Sequence, residues 1–142
     1  MFIRLTPAIA VSAQITPEDC ARAAEEGFVA VVNNRPDGES PGQPDAVTMK
    51  AAAEAVGLRY ADIPVDHSGM SMQQVEAMAA ELAAAGGKPL LAFCRSGTRS
   101  AHLWALAAAL GGQDPDAIVA AAGNGGYDVG GLLPTMHRLA KG

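Results

Sequence analysis

Cys94 and Arg99 are separated by four residues, Arg95, Ser96, Gly97 and Thr98, and Ser100 follows directly. A four-residue apolar run, Leu90–Phe93, leads into the cysteine, and an alanine- and leucine-rich segment leads away from it. This order places a thiol where a buried strand turns into a helix. A short loop there can aim several backbone N–H groups at one point, and the helix dipole adds to that field. Gly97 suits a position of positive φ or close backbone approach. Arg99 offers a planar fork matched to a tetrahedral oxyanion. The same positive field favours the thiolate of Cys94, so the loop would activate a nucleophile and bind the anion it attacks. The structural alternative is a small apolar cysteine closing a strand beside solvated arginines. The number of matched elements in one loop favours the catalytic reading.

Other residues could share this site. Asp66, within Asp66-His67-Ser68-Gly69, follows an alternating segment and could protonate a leaving oxygen. It could equally be the capping residue of a turn. Asp62 lies within that segment and reads as solvent-facing. Arg35 follows another apolar run and could bind a second anionic group, or only a surface carboxylate. His67, His102 and His137 have no metal-ligand spacing, so neither metal nor cofactor is expected. Cys20 reads as a packing residue against Ile15, Trp104 as core, and the glycines near Gly123–Gly126 as a helix stop rather than a nucleotide site.

The elements that must hold these residues alternate along the chain. Ala8–Ala13, Phe28–Asn33, Leu58–Val65 and Leu90–Phe93 read as strands. Thr16 with Pro17 opens one helix; a second runs from about Ala46 to Val56; Ser71 with Gln74 forms a capping box for a third. A fourth begins near Arg99 or Ser100, and Asp114-Pro115 opens a short fifth before a possible helical tail. The proline-rich stretch from Asn34 to Asp45 reads as a mobile loop. Strands separated by helices predict an α/β fold, a single domain over residues 1–142, with a mostly parallel central sheet and helices on both faces. In such sheets ligands bind beyond the carboxyl ends of the strands. Cys94 ends one strand there, and Arg35 and Asp66 follow others.

Composition narrows the classes. A chain of 142 residues with 49% hydrophobic residues can bury one sizeable core. A net charge of −5 argues against general nucleic-acid binding and leaves a small anionic substrate possible only with locally focused positive charge. No stretch approaches the roughly 18 apolar residues of a membrane span. The first residues lack the apolar core of a secretion signal, so the expected location is the cytoplasm and the two cysteines are expected to be free thiols.

The Cys-x-x-Gly-x-Arg-Ser loop resembles those of protein tyrosine and dual-specificity phosphatases and of rhodanese sulfurtransferases. "QITPED", "VVNNRPDGE", "AEAVGLRYADIPV" and "CRSGTRSAHLWAL" together resemble the small bacterial family of beta-lactamase-hydrolase-like proteins, phosphatase-like domain. The resemblance spans about Leu5 to Leu110 and implies a dual-specificity-phosphatase-like fold. Phosphatases of this type carry five residues between Cys and Arg; the four here match the rhodaneses. Ser100 matches the phosphatase hydroxyl that stabilises a departing thiolate, and Asp66 falls where some of these enzymes carry a general acid. Three functions follow: a cysteine-dependent phosphatase acting on a phosphate ester, a sulfurtransferase carrying a persulfide from thiosulfate or another donor, and a non-catalytic anion-binding module. Neither substrate nor oligomeric state is legible.

Overall fold

The computed structural model describes residues 2–141. Its centre is a five-stranded sheet of β1 (Ile3–Thr6), β2 (Ile9–Ser12), β3 (Ala30–Asn33), β4 (Arg59–Asp62) and β5 (Leu90–Phe93), in the order β1-β2-β5-β3-β4. β1 pairs antiparallel with β2, and every other pairing is parallel. The sequence reading omits β1. Its four residues alternate too briefly to stand out, and pairing across the turn at Pro7-Ala8 makes it a strand.

β5 lies in the middle, flanked by β2 and β3, and all four of its residues are buried. Alternation along it separates two cores. Leu90 and Ala92 face one apolar cluster with Val11, Val32 and Trp104; Leu91 and Phe93 face another with Ala10, Val31 and Met49. The first cluster is covered by α3 (Met72–Ala85), α4 (Thr98–Leu110), α5 (Pro115–Asn124) and α6 (Leu133–Ala140). The second is covered by α1 (Asp19–Glu25) and α2 (Ala46–Ala55). Helices therefore lie on both faces. α4 is buried almost all round because α3, α5 and α6 pack about it, which explains its run of Ala and Leu.

The local start signals act as expected, with small shifts. Ser71 and Gln74 form a reciprocal capping box. Thr16 Oγ1 accepts from the Asp19 N–H, and Asp19 Oδ2 accepts from the Thr16 N–H, although the α-helix itself begins at Asp19. α4 starts at Thr98, earlier than its sequence pattern suggests, so Arg99 and Ser100 lie in its first turn. Cys20 shares a buried cluster with Ile15, and burial pushes its thiol pKa up. The stretch from Asn34 to Asp45 is tied down rather than loose. Asp37 Oδ1 accepts from the Ala46 N–H, Gln43 donates to the Pro36 carbonyl, and Arg35 binds Glu39 and Ser40.

The register brings Ser12, Phe93, Asn33 and Asp62 into one row across the parallel strands. The four segments that follow these residues leave from a single sheet edge.

Candidate active site

Cys94 follows β5 at the centre of that edge, with its residue surface fully buried. Its N–H donates to the Ser12 carbonyl at 3.3 Å, and the Gln14 N–H donates to the Arg95 carbonyl at 3.4 Å, so the chain after β2 holds the base of the loop. The loop then turns back on the thiol: the Gly97 N–H donates to Cys94 Sγ at 3.1 Å. Gly97 has φ +91° and caps α4. The Thr98 N–H donates to Ser96 Oγ, and Ser96 Oγ donates to Thr98 Oγ1 at 3.1 Å. The N–H groups of Arg99 and Ser100 belong to the first helical turn, which has no intrahelical acceptor to offer them. The thiol thus sits beside the N-terminus of α4, with one loop amide, that of Gly97, aimed at it.

Arg99 is held from outside the loop. Its Nη1 and Nη2 donate end-on to the two oxygens of Glu39 at 2.8 and 2.9 Å, and Nη1 also donates to the Val65 carbonyl at 2.6 Å. A guanidinium carries five N–H groups in one plane. These contacts leave the Nε–H and the second Nη2–H, which share the opposite edge. Arg99 is pushed further toward its charged form, chiefly by the Glu39 hydrogen bond, with the nearby Cys94 contributing. Arg99 also interacts with the thiol itself, so its remaining N–H groups are suited to an anion bound beside Cys94. Glu39 is pinned in turn: Arg35 Nε donates to its Oε1 at 2.9 Å, and the Arg99 and Arg35 hydrogen bonds hold its carboxyl at about 2 despite opposing desolvation.

Arg35 is buried, and Nη1 and Nη2 donate to Gln14 Oε1 at 3.1 Å and Ser40 Oγ at 2.9 Å. Its three nitrogens serve the protein interior, and it reaches the site through Glu39. Ser100 is also buried, and its hydroxyl donates to Asn34 Oδ1 at 2.8 Å rather than to the thiol. Asn34 Nδ2 donates to the Ile63 carbonyl at 2.9 Å, and the Asn34 N–H donates to the Phe93 carbonyl at 2.8 Å. One asparagine thereby ties α4 to the ends of β4 and β5.

Asp66 is exposed on the segment after β4, next to the Val65 carbonyl that Arg99 grips. Its Oδ1 accepts from the Ser68 N–H at 2.9 Å and from Ser68 Oγ at 2.5 Å. These two bonds hold its carboxyl below the usual range, with smaller help from His67 and Arg99. Asp66 also lines a polar depression of about 310 Å³ with Ser68, Ser71 and Gln74. Arg95 is exposed at the loop. Asp62 accepts from the Tyr60 hydroxyl at 2.6 Å, and His102 lies on α4 with Nδ1 donating to the Thr98 carbonyl at 2.7 Å.

Three residues of the site escape sequence reading: Glu39, Asn34 and Tyr127. Glu39 and Asn34 lie in a stretch whose turn-forming composition masks them. Tyr127 follows the glycines after α5, and its hydroxyl donates to the Ser96 carbonyl at 3.2 Å.

A cysteine loop at the end of a central parallel strand, closed by an arginine in the next helix, defines this as a protein-tyrosine-phosphatase-like fold of the dual-specificity type. A candidate phosphatase from Neisseria meningitidis Z2491 superposes with a TM-score of 0.77 at 28% identity, covering 96% of each chain. PTPMT1 in complex with PI(5)P shares the fold at 15% identity, with a TM-score of 0.76 over 99% of this chain and 97% of that one. Residues 2–111 match the family model of the beta-lactamase hydrolase-like protein, phosphatase-like domain, and the chain belongs to that family. The beta-lactamase hydrolase-like protein of Agrobacterium fabrum is 35% identical over 111 residues, which cover 78% of this chain and 26% of the relative. The chain spans about a quarter to a third of the length of the curated relatives it matches. Among the described residues no helix is long and apolar enough to cross a membrane.

Proposed function

We propose that this domain is a cysteine-dependent phosphohydrolase acting on a small phosphate monoester. In the first step the Cys94 thiolate attacks phosphorus; the S–P bond forms as the bond to the ester oxygen breaks, and that oxygen takes a proton. Water then attacks the phosphocysteine, releasing phosphate and restoring the thiolate. Both steps concentrate negative charge on three phosphoryl oxygens. The N–H groups of Arg99 not taken by Glu39 and Val65, together with the amides of the loop, would stabilise that charge, and Asp66 would supply the proton. The observation that carries this reading is Arg99, fixed end-on by Glu39 and interacting with the Cys94 thiol beside it. The family and the fold agree with it.

A second reading is sulfur transfer. Here the thiolate attacks the outer sulfur of thiosulfate, sulfite departs with the electron pair of the S–S bond, and the persulfide passes its sulfur to a thiol or cyanide. Two observations favour it: the loop has four residues between Cys94 and Arg99, and Asp66 is held in its charged form by Ser68. Sulfite is stable as an anion and leaves without a proton. The deciding assay compares phosphate release from an aryl phosphate with thiocyanate formation from thiosulfate and cyanide, using wild type and Cys94→Ser. Thiol-dependent phosphate release supports the first reading, and thiol-dependent thiocyanate formation alone replaces it with the second. Neither activity would leave the third possibility, an anion-binding module, to be tested by phosphate binding.

A further inference from the structure

The peptide between Ser96 and Gly97 is engaged at both ends. Its carbonyl accepts from Tyr127 Oη at 3.2 Å, and its N–H donates to Cys94 Sγ at 3.1 Å. In a trans peptide the C=O and N–H point in opposite directions. Whatever holds the carbonyl outward therefore aims the amide inward at the sulfur. Gly97 leaves this plane otherwise easy to turn, because glycine accepts either sign of φ at little steric cost. It also makes the contact possible: a Cβ at Gly97 would collide with the Tyr127 hydroxyl.

From this we infer that Tyr127 is a positioning residue for the nucleophile, locking the Ser96–Gly97 peptide so that its N–H stabilises the Cys94 thiolate. Tyr127 lies beyond residues 2–111 matched by the family model, so the C-terminal part of the chain completes the catalytic loop. Burial, followed by the nearby Cys94 charge, raises the pKa of the phenol, which keeps it a donor at neutral pH. Its ring packs against the core that holds α4 and α5, and it lines an apolar groove with Val119, Gly123, Gly126 and Asp128. That anchorage lets one hydroxyl hold a loop peptide in place.

The inference rests on Cys94 as the nucleophile of the proposed function, but its test measures the thiol and not turnover. Tyr127→Phe keeps the ring and removes the donor. At fixed neutral pH, alkylation of Cys94 by iodoacetamide, followed by mass spectrometry of its peptide, should slow on the order of 3- to 10-fold, the scale of one lost hydrogen bond. The Gly97 amide resonance in a 15N–1H spectrum should shift or broaden. Val119→Ala loosens the same groove without touching the loop and should leave both readouts at wild-type values. Wild-type alkylation and an unmoved Gly97 resonance in Tyr127→Phe would overturn the assignment. So would Val119→Ala slowing alkylation equally, because packing and not the hydroxyl would then carry the effect. Failure of every turnover assay, with these readouts as expected, would count against the proposed reaction and not against this role of Tyr127.

Discussion

Glu39 and Arg99, sixty positions apart in sequence, meet in a two-point ion pair at 2.8 and 2.9 Å. The carboxylate occupies the end of the guanidinium, while the Val65 carbonyl takes a further N–H on the far side from Nε. An arginine held in this way has little rotational freedom. In the proposed reaction it would meet the anion without having to be ordered when substrate arrives. Arg35 belongs to the same arrangement, since it fixes Glu39 from behind.

The pair makes the fold sensitive to acid. In the native state the Glu39 carboxyl is lowered from 4.5 to about 2, mainly by Arg99. Between those values the unfolded chain takes up a proton at Glu39 that the native chain does not, so acidification favours unfolding. The stabilisation is complete above pH 4.5, declines as pH falls, and is lost below about 2. Glu39→Gln should be less stable at neutral pH by about 1.5–3 kcal/mol, the scale of hydrogen bonds to charged groups. Its urea midpoint should also decline less steeply than that of wild type across this acid range. Parallel slopes for the two proteins would show that Glu39 does not carry the acid sensitivity.

Arg99→Lys should lower kcat by about 10²-fold or more, the usual consequence of losing one donor to a developing oxyanion. An ammonium cannot bridge Glu39 with one edge and an anion with the other. Steady-state kinetics with an aryl phosphate, or with thiosulfate and cyanide, measure this directly. A lysine variant with wild-type kcat would remove Arg99 from the transition-state contacts.

The residues legible in the sequence are those whose neighbours in the chain explain them. Cys94, Gly97 and Arg99 share one loop, and the capping box at Ser71 is complete within four residues. Glu39, Asn34 and Tyr127 act on partners 60, 66 and 31 positions away. No local pattern distinguishes Glu39 from any surface carboxylate. Its position follows only from the strand order, which sets the segment after β3 beside the loop after β5. The same stretch reads as mobile because Pro, Gly and Asp mark a change of direction. Those residue types carry no information about the side-chain bonds that Arg35, Asp37 and Gln43 make once the turn is formed.

Gly97→Ala tests whether this loop tolerates any side chain. Alanine at φ +91° is strained, and its Cβ would displace the Tyr127 hydroxyl. The left-handed conformation alone costs roughly 1–2 kcal/mol. Calorimetry should therefore show a Tm lowered on the order of 2–8 °C. Activity should fall at least about tenfold, because relieving the strain turns the amide away from Cys94. Unchanged Tm and activity would mean that the backbone adopts another conformation at no cost.

Asp66 separates the two reactions. As a general acid it must be protonated when the substrate binds, yet the Ser68 hydrogen bonds lower its pKa further. Its proton would therefore be available only toward low pH, and Ser68→Ala should move the alkaline limb of the pH profile upward. Asp66→Asn should slow hydrolysis of alkyl phosphates by about 10²–10⁴-fold, the range of general acid catalysis. Aryl phosphates with good leaving groups should lose far less, because their oxygen needs little protonation in the transition state. Sulfur transfer from thiosulfate should be nearly untouched, since sulfite needs no proton. A uniform loss over all phosphate substrates would assign Asp66 to binding or to the turn it forms with Ser68. No loss in any assay, with Ser68→Ala also silent, would remove Asp66 from the chemistry and favour the sulfurtransferase.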